Sequence, residues 1–271
     1  MKTLSPINNI LIAYDGSKPS RNALNYAIAL TKVLHGKLTI LESYNVPVET
    51  TTTDATTGVY PISLTDFKEA TDEELNQLSS EFTELQEIDY FTTSSPGMLA
   101  QALNIYSEEY PVDLIIMGTH GASGWEQFLG GSTTANMVGN IESPLWVIPE
   151  NTQYHNPQNI AIAIDPDQVP ENGKLAFMEL IDNAFDINIS VIYVSDKEVP
   201  DIHRLKGFIG KENTFTRLEG ETESAINKYT TEHNIDTLFV IHKERNFVSE
   251  LFHRSMCKKI VATTEVPVVV L

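Results

Sequence analysis

The chain has 271 residues and a formal net charge of −19, length enough for two α/β domains. That acidity excludes a nucleic-acid surface, which needs clustered Lys and Arg, and disfavours adsorption to anionic membranes; beyond that it speaks to solubility. A single cysteine, Cys257, excludes an internal disulfide and fits a reducing cytoplasm. No run approaches 18 apolar residues, and no leader is expected before the first strand.

In chain order, Asn9 to Tyr14 reads as a first, apolar strand. Ser17 and Pro19 then open a helix whose apolar stripe is Ala23, Ala27, Leu30 and Leu34. Leu38 to Tyr44 is a second strand. The Thr-rich stretch Glu49 to Thr57 reads as a surface loop, and about Asp66 to Leu85 as an acidic helix. Ile88 to Thr93 is a third strand, and Gly97 precedes a helix over MLAQALNIYSEEY. Val112 to Ile116 reads as a buried parallel strand, and Ser143 to Ile148 as the last strand of this half.

Between those last two strands lies the most informative stretch, Met117 to Val138. Gly118, Gly121 and Gly131-Ser132 fall in the spacing G-x2-G-x9-G-S. A strand, a glycine loop and a helix start form a phosphate cradle. Glycine lets backbone amides approach the oxygens, and a helix N-terminus offers unpaired N–H groups. Neither G-x-x-x-x-G-K-[ST] nor G-x-G-x-x-G occurs, so the common nucleoside-triphosphate and dinucleotide loops are excluded.

The chain repeats itself. Gly97 aligns with Gly220, Asp113 with Asp236, Ser132 with Ser255 and Pro144 with Pro267, each pair 123 residues apart. Four anchors at one offset indicate a tandem duplication. The starts align at a larger offset, Asp15 with Asp165, so the second half is shorter between its second strand and Gly220. Strands rich in Val, Ile and Leu alternate with amphipathic helices, which implies parallel sheets covered on both faces. The polar linker Pro149 to Pro157 divides a first domain, 1–149, from a second, 156–271.

The glycine spacing, set late in this pattern and followed by Ser143-Pro144-Leu145-Trp146-Val147-Ile148, resembles the universal stress protein family. Its nucleotide-binding members carry G-x2-G-x9-G-[ST]. The resemblance implies α/β architecture: two tandem flavodoxin-like or Rossmann-like repeats, each a five-stranded parallel sheet. It implies that the repeats pair through their last strands, here within one chain, with a homodimer as a further possibility. It also implies an adenine nucleotide (ATP, ADP or AMP) as ligand, with Mg2+ accompanying a triphosphate. The implied nucleotide-binding residues are Ala13, Asp15, Ser43, Met117, Gly118, Gly121, Gly131, Ser132 and Thr133. Asp15 matches the family aspartate near the adenosine; Ser43 stands where the family usually has an adenine-contacting valine. Asp15 has an alternative role as a turn or cap residue, and Ser132 and Thr133 as N-caps. His120 has no carboxylate partner visible in sequence, and no catalytic or metal-ligating residue is assigned.

The offset carries Gly118 to Ile241, Gly121 to Glu244 and Gly131 to Arg254. Only Ser255 persists, and Asp165 is followed by Pro166-Asp167. The expectation is one nucleotide per chain, in the first half. The implied role is a cytoplasmic, nucleotide-binding regulator in the stress response, acting on an unidentified protein partner. A slow ATP hydrolase and a ligand-free scaffold are the alternatives. The hydrolase is disfavoured because the motif supplies no lysine and no paired carboxylates.

Overall fold

The first turn of the first helix shows how this sequence sets its own boundaries. The Ser17 hydroxyl accepts the Ser20 N–H at 3.3 Å, and Pro19, which has no N–H to leave unpaired, lies in the first turn. The helix, α1 (Lys18–Leu34), ends at His35 in a left-handed conformation, φ 54°. Ala23, Ala27 and Leu30 of its apolar stripe are fully buried, and Leu34 partly so. The structure is a computed structural model describing residues 6–44, 64–119, 143–164, 172–194, 214–241, 260–261 and 263–271.

The first half runs β1 (Asn9–Tyr14), α1, β2 (Lys37–Tyr44), α2 (Leu64–Glu81), a 3-10 turn (Thr83–Glu87), β3 (Asp89–Pro96), α3 (Leu99–Glu109), β4 (Leu114–Thr119) and β5 (Leu145–Pro149). The second runs β6 (Asn159–Ala163), α4 (Asn172–Phe185), β7 (Asn188–Val194), β8 (Thr214–Leu218), α5 (Thr222–Glu232), β9 (Thr237–Val240) and β10 (Val268–Val270). The Thr-rich stretch 49–57 lies outside the described residues.

The ten strands among the described residues join one sheet in the order β3-β2-β1-β4-β5-β10-β9-β6-β7-β8. Pairing is parallel within each half and antiparallel only where β5 meets β10. The order reads alike from either end, so the sheet is two five-stranded Rossmann-like halves joined by their last strands. Helices cover both faces. Residues of α1, α2 and α4 build one core cluster, and residues of α3, α5 and Ile260-Val261 build the other.

Two elements differ from the sequence reading. The acidic helix stops at Glu81 and tightens into the 3-10 turn, which lets Phe82 and Leu85 both reach the core. The third strand extends to Pro96, because it pairs with β2 along that strand's whole length, from Lys37↔Asp89 to Tyr44↔Pro96.

The glycine and aspartate anchors of the duplication have the same geometry in both halves. Gly97 and Gly220 have φ of 103° and 101°, a region where a side chain would be strained. Asp113 Oδ2 accepts the backbone N–H groups of Asn8 and Asn9 at 2.9 and 2.8 Å. Asp236 Oδ2 accepts those of Gln158 and Asn159, both at 2.8 Å. Each carboxylate holds the chain entering the central strand of its own half.

Candidate functional site

In the first half the strand order reverses between β1 and β4, the place where an open α/β sheet leaves a crevice at its carboxyl edge. Ala13 and Met117 are direct partners across that seam, and Ala13 also partners Leu41 on β2. Leu41, Ala13 and Met117 form one buried row on the α3 face. Ser43 lies one pleat further along β2 on the same face, half-buried.

Asp15 follows β1 and is exposed at the crevice mouth. Its Oδ1 accepts the Ser17 N–H at 3.0 Å, which closes the turn into α1. The turn role weighed for this residue is therefore part of the structure, and Oδ2 accepts nothing among the described residues.

Gly118 lies in β4 and faces α1, opposite to Ala13 and Met117. A Cβ added there would lie 2.3 Å from the Pro19 carbonyl oxygen and 2.8 Å from the Ser20 nitrogen. The bare α-carbon is thus occupied by the first turn of α1, which packs directly on the strand. This use of the glycine was not legible in the motif.

Gly121, Gly131, Ser132 and Thr133, with His120, lie outside the described residues. Of the second half's counterparts, Ile241 is described. It packs partly buried against the core shared with α4. There β6 and α4 are separated by eight residues, 164–171, against three between β1 and α1. A branched side chain stands at the position that Gly118 occupies in the first half.

The β2 side of the mouth is acidic. Glu42, next to Tyr14 in register, is only 9% exposed, and its Oε2 is buried with no hydrogen-bond partner among the described residues. Burial, then the neighbouring carboxylates of Glu74 and Asp15, push its carboxyl up to about 7. Burial raises the Tyr14 phenol, opposed by the Arg21 guanidinium. Glu42 stood unremarked in the sequence. The available signal was its place two residues after Ile40 and four after Leu38, on the face they bury. Among the described residues no group of His, Cys, Asp and Glu side chains is arranged to hold a metal ion.

A separate cavity of about 560 Å3 opens between β2, β3 and α3. Its walls include the stacked rings of Tyr106 and Tyr110, 4.8 Å apart, and Phe91, which is 62% exposed. It does not contain Asp15, Met117 or Gly118.

These features define a tandem α/β protein with a switch point in each half and unlike residues at the two seams. The sequence model of the universal stress protein family matches residues 6–149, more than half of the chain. The chain belongs to the universal stress protein family. It is 26% identical over 144 residues to the Universal stress protein A homolog of Haemophilus influenzae, covering 52% of this chain and 95% of that one. The crystal structure of a universal stress protein from Archaeoglobus fulgidus superposes with a TM-score of 0.69 at 17% identity, covering 97% of this chain and 95% of that one. The cytoplasmic domain of a prokaryotic cation chloride cotransporter superposes with a TM-score of 0.55 at 8% identity, covering 97% and 94%. One architecture thus serves different proteins, and the site, not the fold, must carry the function. Among the described residues no helix is long and apolar enough to cross a membrane.

Proposed function

We propose that this protein binds an adenine nucleotide at the first-half switch point and uses its occupancy to regulate a protein partner in the stress response. The observation that carries this is the contrast between the seams. Both halves keep the strand-end alanine and aspartate, Ala13 and Asp15 in the first and Ala163 and Asp165 in the second, but only the first keeps the glycine spacing beyond β4; the second has Ile241, Glu244 and Arg254 where those glycines stand. Asp15, through Oδ2, and the half-buried Ser43 would receive the ribose and base on the β2 side. An acidic rim there suits ribose hydroxyls, which donate hydrogen bonds, and repels phosphates. Backbone amides near Gly118, Gly121 and Gly131, with the hydroxyls of Ser132 and Thr133, would hold the phosphates on the β4 side. The bound phosphates supply negative charge, screened by Mg2+ in a triphosphate.

The two domains would be 1–149, which binds, and 156–271, which does not, in a protein of the cytoplasm. A nucleotide shifts a conformation only through its differential affinity for two states. The partner's affinity must therefore differ between the free and loaded protein.

The test is mass analysis of nucleotide released on denaturing the purified protein, beside Gly131→Glu and Asp15→Ala variants. One adenine nucleotide per chain from the wild type, none from Gly131→Glu and a weakened yield from Asp15→Ala are expected. Two per chain would overturn the single-site reading. None, with no thermal shift on adding ATP or AMP, would leave a scaffold.

A further inference from the structure

The strand joint between the halves has one position that faces its own counterpart. The antiparallel register pairs Leu145 with Val270, Trp146 with Val269 and Val147 with Val268. The repeat offset of 123 makes Val268, Val269 and Val270 the counterparts of Leu145, Trp146 and Val147. Only Trp146 and Val269 are both partners and counterparts. They sit on the pseudo-two-fold axis that exchanges the halves.

A residue on such an axis meets itself whenever two identical edges pair. Here the two occupants are unequal, an indole against an isopropyl group. Trp146 is fully buried, its ring 5.8 Å from Tyr26 of α1 and 6.5 Å from Phe239 of β9. The indole leans over the small Val269 and reaches the second half's core. Two β5 edges would place two indoles at neighbouring positions of adjacent strands, where only one has room. Two β10 edges would place valine against valine and leave the indole's space empty.

A second asymmetry lies alongside. The hydroxyl of Tyr26, from the first half, faces Thr237 and Asp236 of the second. Thr237 is fully buried, and among the described residues the Tyr26 hydroxyl is the polar group that faces its Oγ1, outside ordinary hydrogen-bond geometry. Its counterpart in the first half is Leu114. A β5–β5 pair would therefore set the Tyr26 phenol against leucine, with a buried hydroxyl facing an apolar side chain.

We propose that the β5 edge is keyed to the second half of its own chain and rejects a second copy of itself, with Trp146 and Val269 as the key. The partner that fits this edge has a small β-branched residue on the axis and a hydroxyl-bearing residue at the start of the next strand. This assignment is independent of nucleotide binding.

The test is a double-mutant cycle on the full-length chain, read by equilibrium denaturation. Val269→Trp forces indole against indole, and Trp146→Val leaves valine against valine. Each should lower the folding equilibrium constant by roughly 100-fold. The exchanged pair, Trp146→Val with Val269→Trp, should recover to within about tenfold of the wild type. If Val269→Trp does not fold, the graded series Val269→Leu and Val269→Phe should lose stability in order of size in the wild type and gain it in a Trp146→Val background. Additive losses in either cycle, or a Val269→Trp chain as stable as the wild type, would overturn the proposal.

Discussion

A methyl group on Gly118 would sit 2.3 Å from the carbonyl oxygen of Pro19. The overlap is with backbone, which cannot swing aside as the end of a side chain does. Gly118→Ala should therefore destabilise the fold by about 1–3 kcal/mol, the range for forced overpacking. The loss should be the same with and without added ATP or AMP. A variant that lost only nucleotide affinity, with its denaturation midpoint unchanged, would show that α1 can shift away from β4.

Asp113 and Asp236 make an internal control for the duplication. Each accepts two backbone N–H groups at the entry to the central strand of its half. Removing a charged acceptor from such a pair costs about 1.5–3 kcal/mol. Asp113→Ala and Asp236→Ala should each lose that much. The sites share no partner, so the double variant should lose the sum. A loss confined to one variant would mean that only that half's strand entry limits stability.

The linker is pinned as well as short. Asn22 Nδ2 donates to the carbonyl oxygens of Pro149 and Thr152 at 3.0 and 2.8 Å, and the Tyr154 ring meets Tyr26 edge-on at 4.8 Å. Asn22→Ala should cost about 1–2 kcal/mol, at about 1 kcal/mol per bond. It should also speed proteolytic cleavage between residues 149 and 158. Unchanged cleavage would show that the linker's other contacts, the aromatic pair and the Thr152 hydroxyl's bond to the Glu265 carbonyl among them, suffice to hold it.

Much of the fold was legible because the duplication repeats its geometric demands. A left-handed turn before α3 and α5 demands glycine twice, at Gly97 and Gly220; strand entry demands a carboxylate twice, at Asp113 and Asp236. The seam residues Ala13 and Met117 were named by the family resemblance, and the register makes them neighbours. Other features depend on residues far apart in sequence. Gly118 answers to Pro19, and Trp146 to Val269, through packing that no local spacing encodes. The third strand's extra residues depend on how far β2 continues beside it.

Glu42 is the most consequential of these long-range effects. On β2 it looks like one more polar residue beside Lys37, Thr39 and Ser43. In the fold it is buried beside Tyr14, with Asp15 after β1 and Glu74 on α2 as its charged neighbours, and its carboxyl rises to about 7. The unfolded chain releases that proton near pH 4.3. The native state therefore holds a proton that the unfolded state has lost. Stability falls as pH rises from about 4.3 through about 7 and then levels off. The difference corresponds to about 4 kcal/mol at most. Glu42→Gln keeps the shape, carries no charge and should be more stable than the wild type at pH 8, with the gap closing towards pH 5. Melting curves of both proteins across that window decide it. Parallel curves would mean that Glu42 is ionised throughout and neutralised by a cation at the β2 side of the mouth.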